Sequence, residues 1–78
     1  MLSTNEILHV RRAINRELFG DESVLTMEDV AQMQPIPGTR MGDSLTVLAI
    51  QYGDSTILVW VQFMDYGLYV KKVKRQAW

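Results

Sequence analysis

Cysteine is absent from this 78-residue chain, histidine occurs once, and there are only two prolines. Without cysteine there can be no disulfide, no thiolate nucleophile and no sulfur-ligated zinc, and one imidazole excludes any site that needs two. No apolar run approaches the roughly 20 residues of a membrane-spanning helix. The segment from Met1 to Glu6 lacks the basic and apolar regions of a secretory signal, so a soluble, cytoplasmic protein with no membrane partner is expected. Internal repeats, low-complexity tracts and linker-like stretches are also missing.

What is present is a folding composition: 47% apolar and 22% charged residues, well outside the polar, highly charged range of disordered chains. The length fits one domain, 1–78. Domains this small bury only about 60% of their unfolded surface and commonly rely on disulfides, metal or oligomerisation. With the first excluded and no metal site recognised, a homodimer or a protein partner is expected. The formal net charge of −1 conceals a division. Residues 1–65 hold all nine acids and four bases, whereas residues 66–78 hold four bases and no acid.

The expected fold class is α+β: an N-terminal amphipathic helix, a short second helix, then a three-stranded antiparallel meander with the helices packed on one face. Ser3 and Glu6 form a capping box. Ile7, Val10, Ile14 and Leu18 then make one apolar stripe, and Gly20 supplies a left-handed stop, which predicts a helix over 4–19. His9, Arg12 and Arg16 form a basic ridge on its other side, whose plain reading is a solvated face. Thr26 and Asp29 cap a second helix over 27–33, with Leu25 and Val30 spaced as a hydrophobic staple, and Pro35 ends it. Residues 34–43 read as a loop, and strands follow over 45–52, 55–64 and 68–75. Gly53-Asp54 suits a two-residue turn of type II′ or I′, and Asp65-Tyr66-Gly67 a type I turn with Gly67 left-handed.

If Gly53-Asp54 is the turn, Tyr52 pairs with Ser55 and Leu48 with Val59. Leu48, Ile50, Tyr52, Ile57, Val59, Val61 and Phe63 then share one face, and Leu45, Val47, Ala49, Leu58, Trp60 and Met64 share the other. Both faces are apolar, whereas a sheet with one wet face alternates cleanly. The helices can cover only one of them, so the second is expected to meet a twin or another protein. For the last strand, the two possible turn lengths put Lys71 and Lys72 on opposite sides.

No catalytic constellation is visible. Glu6, Asp29, Asp43, Asp54 and Asp65 sit at caps and turns, Asp21-Glu22 reads as a solvated pair rather than a metal site, and His9 has no second ligand. Gly38 to Gly42 has two glycines but no following Lys-Ser or Lys-Thr, so it is not a phosphate loop. No enzyme activity, cofactor, metal or small-molecule substrate is expected.

Leu25-Thr26-Met27-Glu28-Asp29-Val30-Ala31-Gln32 resembles the opening helix of small helix-turn-helix and excisionase-type DNA-binding domains. The likeness ends there, because Met33-Gln34-Pro35-Ile36-Pro37-Gly38 cannot form the recognition helix. In size and composition the chain also resembles bacteriophage-encoded inhibitors of host machinery, anti-CRISPR proteins among them; that likeness would place it in the host cytoplasm. The expected function is a non-enzymatic protein-interaction module that binds or occludes a macromolecular partner as an inhibitor or regulator. Its surface would be Trp60, Leu58, Met64, Tyr69 and Trp78, with Ile36, Arg40 and Met41 from the loop. The alternative is RNA or DNA binding by the basic, aromatic final strand, through Tyr66, Tyr69, Lys71, Lys72, Lys74 and Arg75. Lysine on an edge strand also guards against edge-to-edge pairing. A structural subunit of a larger assembly is the second alternative.

Overall fold

A computed structural model describes residues 2–21, 23–36, 45–65 and 67–77. The fold is α+β: α1 (Thr4–Ile14) continues into a π-helical turn (Asn15–Phe19), α2 (Met27–Ala31) follows, and the strands are β1 (Gln34–Pro35), β2 (Leu45–Tyr52), β3 (Ser55–Met64) and β4 (Gly67–Ala77). They form one antiparallel sheet in the order β1-β2-β3-β4.

Both helix starts follow from reciprocal side-chain capping. The Glu6 N–H donates to Ser3 Oγ at 3.2 Å and the Ser3 N–H to Glu6 Oε1 at 2.7 Å. Asp29 N–H donates to Thr26 Oγ1 at 3.1 Å and Thr26 N–H to Asp29 Oδ2 at 3.0 Å. Each pair satisfies backbone donors that the first helical turn leaves free. Ser3→Ala and Thr26→Ala should each lower the unfolding free energy by about 1 kcal/mol in denaturant titrations.

Four expectations change. The first helix spans 4–19 as expected, with Gly20 left-handed at φ 63°, but its last five residues are π-helical rather than α-helical. Asn15 at that junction is fully buried and bonded to the backbone of Leu25, and the wider turn accommodates this inward polar side chain. The second helix ends at Ala31, not 33. The sheet has a fourth strand where a loop was expected. Gln34 pairs with Ala49 and Pro35 with Leu48, and the Ile36 N–H donates to the Val47 carbonyl at 2.9 Å. A proline suits this edge strand, since its missing N–H costs no ladder bond on the open side. Residues 37–43 of the expected loop lie outside the described residues.

The fourth change is in β4, which runs over 67–77 rather than 68–75. Met64 pairs with Gly67, and Gly67 lies at φ 143° rather than in the left-handed helical range; Tyr66 between them lies outside the described residues. The β2–β3 hairpin follows the expected register from Tyr52↔Ser55 to Leu45↔Gln62. Gly53 has φ 62° and Asp54 does not have positive φ, the pattern of a type II′ turn.

The core lies between the helices and one sheet face. Val10, Ile14, Leu25, Val30 and Met33 meet Leu48, Ile57, Val59 and Val61 there. Leu25 and Val30 both enter it, as the staple requires.

Candidate functional site

Residues on β3 alternate without exception between buried and less buried from Ser55 to Gln62. Ile57, Val59 and Val61 enter the core, which turns Thr56, Leu58, Trp60 and Gln62 to the outer face. The register sets Trp60 opposite Val47 on β2 and Lys72 on β4, and Leu58 opposite Ala49 and Lys74. Ile36, bonded to Val47, extends the first row.

This outer face is apolar towards β1 and basic towards β4. Val47 is only 3% exposed yet does not belong to the core cluster; Trp60 and Ile36 flank it across the sheet. Trp60 and Leu58 are half-buried, and Lys72 Nζ stands 5.1 Å from the centre of the Trp60 ring, a cation–π contact that also lays the lysine stem over the indole. Met64 and Tyr69 are 41% and 59% exposed at the end of the β3–β4 hairpin.

The side taken by the lysines depends on a β-bulge. Trp60 pairs with Lys72 but Val61 with Val70, which leaves Lys71 as the extra residue. Leu68 and Val70 pack towards the core before the bulge, and Val73 does so after it. Lys71 and Lys72 therefore both leave the core side, with Lys71 Nζ 5.5 Å from the centre of the Tyr69 ring. The spacing Leu68, Val70, Val73 carries this signal: the step of three positions from Val70 to Val73 breaks the period of two.

Arg75 departs from the other bases. It pairs with Ile57, on the helix side, and its guanidinium lies 5.7 Å from the Phe19 ring centre and 5.5 Å from that of Tyr52. Phe19 and Tyr52 are themselves 5.6 Å apart, so Arg75 caps an aromatic pair and is separated from Lys72 and Lys74. Trp78, Arg40, Met41 and Tyr66 lie outside the described residues.

Two concavities flank the sheet. An apolar recess of about 520 Å³ lies between α2, β1 and the ends of β2 and β3, with Met33, Pro35, Leu48 and Phe63 in its wall; none of its described lining residues is titratable. A groove of about 670 Å³ runs between α1 and β4, lined by His9, Arg16 and Glu17 from the helix side and by Tyr69, Lys71 and Lys72 from the strand. His9 and Arg16 belong to the ridge that sequence reasoning takes for a solvated face. Their position beside β4 depends on how the helix lies over the sheet.

Among the described residues no group of three metal-ligating side chains exists, and no helix is long and apolar enough to cross a membrane. Asp21 is fully exposed. It accepts bonds from the Ser23 Oγ–H at 2.6 Å and the Ser23 N–H at 2.9 Å, and these, the hydroxyl first, hold its carboxyl below the ordinary aspartate range. No protein-family model, curated protein or solved structure matches the chain.

Proposed function

We propose that this protein is a non-enzymatic interaction module that docks the outer face of its sheet on another protein and occludes it, an inhibitor or regulator by mode of action. One observation carries this reading: the apolar strip Ile36, Val47 and Trp60, with Ala49 and Leu58 beside it, lies on the side of the sheet opposite the described helices. Its surroundings support it. An apolar centre with Trp at its middle, exposed Met64 and Tyr69 at one end and lysines at one side has the anatomy of a protein interface.

The test is Trp60→Glu, with solution mass by light scattering and capture of partners from the expressing cells, on both wild type and variant. The fold should survive, because Trp60 lies outside the core cluster, and thermal unfolding should confirm it. Wild-type mass that exceeds a monomer and collapses in the variant would identify a second copy as the occupant, or a larger assembly if the mass is higher still. A monomer that retains a specific protein only when Trp60 is present would identify a different partner. Equal mass and equal capture in both proteins would overturn the proposal. A second reading, nucleic-acid binding, draws on the edge of β4 and the α1 side, and shares Tyr69 and Lys72 with this face.

A further inference from the structure

We propose that the groove between α1 and the edge of β4, continued around that edge to Tyr69 and Lys72 on the outer face, binds single-stranded nucleic acid, with phosphates on Arg16, Lys71 and Lys72 and a base stacked on Tyr69. This goes beyond the sheet-face reading and does not depend on it.

Charge is the first argument. Two basic features far apart in the sequence, the α1 ridge and the β4 lysines, form the two walls of one groove. Arg16, Lys71, Lys72 and His9 stand with a single carboxylate, Glu17, among its described lining residues. No described carboxylate forms an ion pair with Arg16, Lys71 or Lys72. A concentration of cations with no described carboxylate partner attracts a polyanion and releases its counterions on binding.

Edge protection accounts for less of this arrangement. Lysines on β4 would guard the edge by themselves. It does not require cations on the facing helix, nor a bulge that turns two consecutive lysines away from the core. Tyr69 supplies the second argument. A tyrosine ring 59% exposed beside two lysines is a stacking platform next to phosphate contacts, the pairing used for unpaired strands. The backbone supplies the third. Among the described residues β4 pairs with β3 alone, so the N–H groups along its other edge have no described strand partner and can donate to phosphate or base oxygens.

The test is fluorescence anisotropy of a labelled oligothymidylate of about 12 nucleotides with the full chain, in salt from about 50 to about 200 mM. Three neutralised phosphates predict a log–log salt slope of about −2, a loss of about 20-fold in affinity over that range. Lys72 also covers Trp60, so the diagnostic variant is Arg16→Gln with Lys71→Gln, which should make the slope shallower by about 1.4. Tyr69→Ala should weaken binding by about 5- to 150-fold with the slope unchanged. Lys74→Gln, on the outer sheet face, removes one positive charge, as Lys71→Gln alone does, and should leave the slope unaltered. Four results would each overturn the proposal: no saturable binding at the lower salt, a Lys74→Gln effect as large as that of Lys71→Gln, equal competition by polyglutamate of the same charge, or equal affinity for duplex. Loss of Trp60-dependent docking with oligonucleotide binding intact would overturn only the sheet-face reading.

Discussion

Replacing Asn15 with leucine is expected to lower the unfolding free energy by about 2–3 kcal/mol. The Leu25 N–H donates to Asn15 Oδ1 at 2.9 Å, and Asn15 Nδ2 donates to the Leu25 carbonyl at 3.2 Å. Arg11 Nε reaches the same carbonyl at 2.7 Å. Leucine removes both side-chain bonds; the carbonyl keeps Arg11, whereas the buried N–H loses the acceptor that Asn15 supplies. A donor left dry costs more than the bond was worth on balance, which places this change above an ordinary polar substitution. The consequence extends to the core, since this backbone clamp holds Leu25, 1% exposed, beneath α1 and just before the cap of α2. For a domain of this size each kcal/mol corresponds to about 4–8 °C, so melting should fall by about 10–20 °C. A loss below about 0.5 kcal/mol, the level of an ordinary surface change, would show that the clamp is dispensable.

The second large effect separates neighbours on one strand. Ile57→Ala should cost about 3–4 kcal/mol, because the side chain is fully buried among the core residues and its removal leaves a cavity. Leu58→Ala, the next residue, removes a similar volume from the half-buried outer face and should cost about 1 kcal/mol or less. Urea unfolding of the two variants measures the difference directly. Comparable losses would mean that the outer face is packed like the core and would undercut its role as a docking surface. A domain of 78 residues holds about 4–12 kcal/mol in total, so the alanine at 57 alone removes a large part of the margin.

Much of the fold is legible because its determinants are local. Ser3 with Glu6 and Thr26 with Asp29 are capping boxes in the sequence and in space. Gly53 determines the hairpin register, and the register sorts β2 and β3 into core and outer residues without further information. Other features were less accessible. The strand at Gln34–Pro35 is too short for any periodicity and exists because β2 offers it a partner. The π-helical turn begins at Asn15, whose side chain meets Leu25 ten residues along the chain, a contact no local pattern displays. Composition groups Arg75 with the lysines, and the extra residue Lys71, four positions before it, carries it to the aromatic pair instead.

The candidate sites divide along the same line. Residue types, caps, turn chemistry and the two apolar sheet faces were set by the sequence alone, since each rests on interactions within a few residues or on strict alternation along a strand. Which basic residues stand together was decided only in the tertiary structure. His9 and Arg16 join Tyr69, Lys71 and Lys72 because α1 packs along β4 and because one extra residue shifts that strand by half a period. Side-chain direction on a strand repeats every two residues, so a single inserted residue reassigns everything beyond it, and that insertion is stabilised by Val70 and Val73 both reaching the core.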